Sequence, residues 1–161
     1  MVKRMAKKFQ NLSSYFNYVD KILEKCMKEV GVQLKNEMAN YIFENVYKAR
    51  TPEEYIRTFQ ILDSITYNLD GSNGTYKVKV GYDTDLIKPE YNEDSFFNSH
   101  MSLSGEDVSD ITPYFIERGN GRNPYKHYDG VNALRFMKEY IEDYATVKLA
   151  TLLHQKGIKI G

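Results

Sequence analysis

The sequence predicts an α+β protein in which a long N-terminal helix and a C-terminal helix pack on a small antiparallel β-sheet, with a long extended loop. Apolar residues recur at spacings of three and four over residues 14–49 and again over 131–156. Between these segments, two short stretches alternate apolar and polar residues around turn dipeptides, which is typical of a hairpin. The 161 residues are enough for one domain with a hydrophobic core.

The N-terminus differs in charge from the rest of the chain. Met1–Gln10 contains four basic residues and no acidic one, whereas the whole chain has 22 basic and 22 acidic residues. We expect residues 1–13 to form a flexible basic arm and residues 14–161 to form a single domain. A zero net charge argues against a dedicated nucleic-acid-binding protein, which usually has a basic excess.

A long helix is predicted from Ser14 to Ala49, where one apolar stripe runs along the chain. Gly31 interrupts the stripe and predicts a kink or a break. Unbroken, the helix would be roughly 50 Å long, so we expect part of the stripe to face another subunit. The lone Cys26 falls on the stripe and is expected to be buried. The stripe residues are Val19, Ile22, Leu23, Cys26, Met27, Val30, Leu34, Met38, Tyr41, Ile42 and Val46.

The middle of the chain predicts a helical turn followed by a hairpin. Thr51-Pro52-Glu53-Glu54 combines a helix cap, a proline at the first helical position and a capping-box glutamate, so a short turn is expected through Tyr55–Thr58. Strands are predicted at Ile61–Leu69 and Thr75–Tyr82. The turn dipeptides Asp70-Gly71 and Asn73-Gly74 lie between them.

Residues 83–109 have no clear period and are predicted to form a long loop. Between Asp83 and Glu117 there are nine acidic residues and one basic residue, so self-repulsion should keep the loop extended. The loop also contains Phe96 and Phe97, which are costly to leave in water. We therefore expect it to become ordered against a neighbouring subunit.

Two further helices are predicted towards the C-terminus. Ser109–Arg118 should form a short helix that has Pro113 near its start and ends at Gly119. The last helix is expected from Val131 to Lys156, with Gly157 as its left-handed cap. Its apolar residues are Leu134, Met137, Ile141, Tyr144, Ala145, Leu149, Leu152 and Leu153.

No motif in the sequence predicts catalysis, a cofactor or a metal. His100, His127 and His154 lack partners at metal-ligand spacing. Gly119–Gly121 is not followed by the Lys-Ser or Lys-Thr of a phosphate-binding loop, and no serine lies in a nucleophile elbow. No apolar stretch approaches the length that spans a bilayer. We therefore expect a protein that is not an enzyme, binds no cofactor and enters no membrane.

Four segments, taken in order, resemble the tail-completion, or head–tail joining (minor capsid, neck), protein family of tailed double-stranded-DNA bacteriophages. The first is the stretch Tyr55–Ile65, in which Arg57-Thr58 leads into a strand. Val78–Gly81 is similar to that family's Val-x-Val-Gly strand end, and Ile111–Gly119 is similar to its Ile-x-x-Tyr-x-x-Glu-x-Gly segment. Phe136-Met137 lies near the start of the last helix.

The resemblance implies a virion structural protein without catalytic activity. Such a protein is made in the host bacterial cytoplasm and assembles in the neck or tail as a homo-oligomeric ring, sixfold or twelvefold. Its neighbours would be the portal or connector proteins and the tail-tube proteins, and genomic DNA would pass with non-specific contact only. The expected subunit-contact residues are Arg57, Thr58, Phe96, Phe97, Tyr114, Phe115 and Glu117.

The alternative is a small intracellular nucleic-acid-binding or regulatory protein that uses the basic N-terminal arm. Phosphate contacts need only lysine and arginine, so the arm is sufficient for weak DNA binding. Salt-dependent DNA binding that is lost when residues 1–10 are deleted would favour this alternative.

Overall fold

The computed structural model of the protein describes residues 8–49, 59–89, 106–119 and 130–159. Its architecture is α+β, as predicted, with most described residues in helices and one two-stranded antiparallel sheet. The predicted turn at Thr51–Thr58 and the larger part of the predicted loop 83–109 lie outside the described residues. In chain order the elements are α1 (Leu12–Ile42) with a π-helical turn (Phe43–Lys48), α2 (Gln60–Ser64), β1 (Ile65–Ser72), β2 (Thr75–Tyr82), α3 (Thr112–Arg118), α4 (Ala133–Tyr140) with a π-helical turn (Ile141–Ala145), and α5 (Thr146–Gln155).

The first helix begins two residues before the predicted start. Asn11 caps it, because its side-chain oxygen accepts a hydrogen bond from the Ser14 backbone N–H at 2.8 Å. The Ser14 hydroxyl oxygen accepts in return from the Asn11 N–H at 3.3 Å. This reciprocal capping box satisfies two backbone donors that the first turn would otherwise leave unpaired.

Gly31 does not break α1, so the predicted break there is wrong. The helix runs continuously through this residue, which is buried. A Cβ atom placed on Gly31 would lie 2.7 Å from Cε2 of Tyr67, a residue of β1. The glycine is therefore a contact point between helix and sheet, because only the absence of a side chain lets the Tyr67 ring lie against the helix backbone.

The hairpin packs one face on α1 and joins its strands through Asn73-Gly74, one of the two predicted turn dipeptides. The other, Asp70-Gly71, lies within β1, so the strand extends past the predicted end at Leu69. Asn73 and Gly74 both have positive φ, 53° and 82°, which suits a tight two-residue hairpin turn. The Gly74 N–H and the Tyr76 hydroxyl both donate to Oδ1 of Asp20 on α1, at 2.6 and 2.9 Å. These two hydrogen bonds fix the tip of the hairpin against the helix.

The first strand starts later than predicted. Gln60–Ser64 forms the short helix α2, and β1 begins only at Ile65. Ile61 and Ile65 are both buried, and a separation of four residues places both side chains on one side of a helical turn as well as on one side of a strand. The spacing of these apolar residues therefore fits a helical turn and a β-strand equally well.

The last helix is continuous from α4 to α5 and ends as predicted. Gly157 has φ 86° and donates its N–H to the His154 carbonyl at 2.9 Å. The Ile158 N–H donates to the Leu153 carbonyl at 2.9 Å, which completes a Schellman cap. None of the described helices combines the length and apolar character that a membrane crossing requires.

The hydrophobic core lies between α1, the inner face of the hairpin and the last helix. The predicted stripe on α1 supplies much of it, and Met38, Ile42 and Cys26 are fully buried. Ile87, in the described part of the predicted loop, is also buried. The buried apolar residues are Cys26, Val30, Leu34, Met38, Ile42, Ile61, Ile65, Ile87, Ile116, Ala133, Met137, Leu152 and Leu153.

The thiol of Cys26 should resist alkylation while the protein is folded. Its side chain has no exposed surface, and burial, followed by the charge of Glu29, raises the pKa of the thiol. The thiolate is the reactive species, so both effects slow the reaction. We expect slow labelling by iodoacetamide in buffer and rapid labelling in concentrated urea. Mass spectrometry would measure the extent of labelling in each case. Rapid labelling of the folded protein would show that this face of α1 opens.

Candidate functional site

The predicted contact residues fall into two groups. Arg57, Thr58, Phe96 and Phe97 lie outside the described residues. Tyr114, Phe115 and Glu117 all lie on α3, where their side chains have different surroundings.

Helix α3 presents an exposed apolar and aromatic surface. The Tyr114 side chain is 57% exposed, and Ile111 in the preceding turn is also exposed. The Phe115 ring is half-buried, with its centroid 6.3 Å from that of Tyr114. The Arg118 guanidinium lies 5.6 Å from the centroid of the Tyr114 ring, which is close enough for a cation–π interaction. We call Ile111, Tyr114, Phe115 and Arg118 the α3 surface.

The sequence predicted only part of the α3 surface as contact residues. Ile111 and Arg118 were not among the predicted contact residues, although their spacing from Tyr114, three residues before and four after, places all three on one side of a helix. Pro113 and Ile116 are buried on the opposite side and hold α3 against the rest of the protein.

Glu117 joins three elements. Its Oε1 accepts a hydrogen bond from the Tyr82 hydroxyl on β2 at 2.8 Å. Its Oε2 accepts from the Leu134 backbone N–H in the first turn of α4 at 3.0 Å. Asn132, which precedes α4, makes no side-chain cap hydrogen bond, so the carboxylate of Glu117 takes the capping role from a distance. Glu117 thus fixes α3 relative to the sheet and the last helix.

Main-chain hydrogen bonds strengthen the same junction. The Val131 N–H donates to the Ile116 carbonyl at 2.9 Å, and the Asn132 N–H donates to the Glu117 carbonyl at 3.1 Å. A Cβ on Gly130 would collide with the backbone of Arg118. The chain entering α4 therefore runs directly along the end of α3.

The contact with Glu117 predicts a loss of stability in alkali. Burial, followed by the negative charge of Glu117, raises the pKa of the Tyr82 hydroxyl above its ordinary value of about 10. The neutral hydroxyl is the form that the fold favours, so its stabilisation is complete below pH 10 and is lost as the pH rises further. One such group lowers the free energy of unfolding by up to about 1.4 kcal/mol for each pH unit above this point.

Urea denaturation between pH 8 and pH 11 would measure this effect. Tyr82→Phe has no hydroxyl to ionise, so its stability should fall less steeply than that of the unaltered protein over this range. Equal slopes for the two proteins would show that Tyr82 ionises freely in the folded state.

The N-terminal end of α1 carries a second exposed surface. The rings of Tyr15 and Tyr18 lie 5.2 and 5.1 Å from that of Phe9, measured between centroids. Leu12 is 68% exposed, and Phe16 is also exposed. We call Phe9, Leu12, Tyr15, Phe16 and Tyr18 the aromatic end of α1.

These two surfaces are suited to contact with another protein. Within the described ranges, no three histidine, cysteine, aspartate or glutamate side chains come together as a metal site would require. His154 is exposed at the end of α5, and His100 and His127 lie outside the described residues. The α3 surface and the aromatic end of α1 instead combine apolar rings with polar edges, a composition common at protein interfaces.

Comparison of the chain with protein-family models, curated proteins and solved structures gave no match.

Proposed function

We propose that this protein is a structural subunit of the neck or tail of a tailed bacteriophage. In this role it forms a homo-oligomeric ring that joins the portal or connector complex to the tail tube, and it catalyses no reaction. The proposal rests on the ordered sequence segments that resemble the tail-completion family and on the physical features described below.

The observation that carries the proposal is the length of α1 relative to the core. The helix has 31 residues, or about 46 Å, and its first buried residue is Cys26, about midway along it. The N-terminal half of the helix starts at the aromatic end of α1, where Leu12 and Phe16 remain largely exposed. Exposed apolar surface of this kind is typical of a contact with a neighbouring protein.

Two different exposed surfaces suit a ring. Subunits of a closed ring make heterologous contacts, in which one surface of each subunit meets a different surface of the next. The aromatic end of α1 and the α3 surface are two such surfaces on different elements. A contact between them would repeat around the ring and leave neither surface in water.

The resemblance to the tail-completion family implies a helix pair packed against a small antiparallel sheet, and the observed architecture agrees with this. Two helices pack with a small antiparallel sheet, and the segment resembling the family between Ile111 and Gly119 forms the 3₁₀ turn and α3. The fold therefore supports the proposal, and the following experiments test the assembly.

Deletion of the gene from the phage genome tests the proposal. We expect lysates with DNA-filled heads and separate tails, because the joint between them would be missing. Complementation with a tagged copy should restore infectivity and place the tag at the head–tail junction in electron micrographs. Normal particles from the deletion, or a tag located on the capsid shell or tail fibres, would reject the proposal.

Substitutions in complementing copies test the surfaces. Leu12→Ala combined with Phe16→Ala should reduce the number of joined particles by about tenfold or more, since two large apolar contacts are lost from each interface. Val147→Ala is the matched control, because Val147 is an exposed apolar residue on the last helix outside both surfaces. Equal joining by the double variant and the control would exclude the aromatic end of α1 from the interface.

A further inference from the structure

The outer edge of β2 carries backbone groups that pair with no other strand in the described part of the chain. The Asp83 N–H donates to the Ser64 carbonyl at 2.7 Å, and the strand register continues from this pair. In an antiparallel ladder only alternate residues bond to the partner strand. Odd-numbered residues of β2 therefore bond to β1, and even-numbered residues direct their N–H and C=O groups away from it. Among the described residues, no strand pairs with this edge.

An apolar groove lies between Val80 of β2 and the last helix. Its open volume is about 260 Å³. Leu134 and Ile141 in its wall are 49% and 41% exposed, although the sequence placed both on the apolar stripe of the last helix. The groove is lined by Val80, Leu134, Met137, Lys138, Ile141 and Glu142, and we call it the β2 groove.

Backbone and side-chain features coincide in the β2 groove. Val80 is an even-numbered residue, so its N–H and C=O, which bond to no other described strand, lie at the outer edge. Val80 also lines the groove. A strand added to this edge would lie about 4.8 Å from β2. Its alternate side chains would then cover Leu134 and Ile141. Backbone pairing would provide affinity, and the apolar wall would select the side chains.

The charges on β2 determine what kind of strand fits. Lys77 and Lys79 are exposed on the face of the strand opposite the groove. Lys79 lies 3.6 Å from Asp70, whereas Lys77 has no ion-pair partner among the described residues. Pairing with β2 of a second copy would place lysines opposite lysines, which is destabilising. A strand with acidic residues at these positions would be attracted.

We propose that the β2 groove binds an extended segment of another polypeptide as a third β-strand. The segment has apolar side chains directed into the groove, alternating with aspartate or glutamate opposite Lys77 and Lys79. This inference is independent of the phage-neck proposal, because it depends only on the edge, the groove and the charges.

A displayed peptide library tests the inference with the full-length chain. The probes are decapeptides with valine, isoleucine or phenylalanine at odd positions and acidic, basic or threonine residues at even positions. We expect selection to recover acidic peptides, and the best of these to bind at least about tenfold more tightly than its lysine-substituted counterpart. Failure to select any binder, or recovery of basic peptides, would overturn the inference.

Variants and amide exchange then locate the bound peptide. Ile141→Asp should weaken binding about tenfold or more, whereas Val147→Asp, at an exposed position outside the groove, should leave it unchanged. In nuclear magnetic resonance spectra, the amides of Val78 and Val80 should exchange at least about tenfold more slowly when the peptide is bound. A peptide that binds without protecting these amides, or whose affinity is unaffected by Ile141→Asp, occupies another site and rejects the inference.

Discussion

Replacement of Met38 by alanine should lower the free energy of unfolding by about 2–5 kcal/mol. Met38 has no exposed surface and lies in the core formed by α1, the hairpin and the last helix. The substitution removes apolar contacts and leaves a cavity that a close-packed interior fills only in part. A typical domain has about 5–15 kcal/mol of stability, so this variant should unfold at a clearly lower urea concentration.

Val147→Ala is the control for the core substitution. Val147 is exposed on α5, and its truncation should change stability by no more than about 0.5 kcal/mol. Urea denaturation followed by circular dichroism measures both variants. If Met38→Ala proved as stable as the control, the core would be either loosely packed or arranged differently around α1.

Replacement of Glu117 by alanine should lower the free energy of unfolding by about 2–4 kcal/mol. The substitution removes the acceptor for the Tyr82 hydroxyl and for the Leu134 N–H. A partly buried hydroxyl left without an acceptor retains the cost of its desolvation. The first turn of α4 also loses the negative charge that favours a helix N-terminus.

A double-mutant cycle separates these contributions. Tyr82→Phe alone removes only the hydroxyl hydrogen bond, so it should cost less than Glu117→Ala. If the two groups interact, the double variant should be more stable than the sum of the single losses predicts, by about 1 kcal/mol or more. Strict additivity would mean that the Tyr82–Glu117 hydrogen bond contributes nothing to stability.

Glu117 should also matter for assembly, because it holds the α3 surface in position. The α3 surface is held relative to the sheet and the last helix by the hydrogen bonds of Glu117. Glu117→Ala should therefore impair particle joining even at temperatures where the protein remains folded. Tyr114→Ala is the matched comparison, because it removes an exposed ring from the same surface with little expected effect on stability.

Local signals in the sequence were sufficient for much of the fold. The Asn73-Gly74 turn and the Gly157 cap both depend on a positive φ, which these residues adopt at low cost. The apolar stripe on α1 could also be predicted, because the period of a helix fixes which side chains share a face. These features depend on near neighbours in the chain, so the sequence determined the fold class, the hairpin turn and the buried position of Cys26.

Only the tertiary structure decided how these elements meet. The sequence predicts a kink or a break at Gly31, yet the glycine is where the Tyr67 ring packs on α1. The sequence predicts Glu117 as a subunit-contact residue, and only the structure shows that its carboxylate accepts hydrogen bonds from Tyr82 and Leu134, which are 35 and 17 residues away in the chain. Leu134 and Ile141 share the predicted apolar stripe with Met137, yet only Met137 is buried. Periodicity specifies the face of a helix, whereas burial depends on which distant elements cover that face, and this information is not local in the sequence.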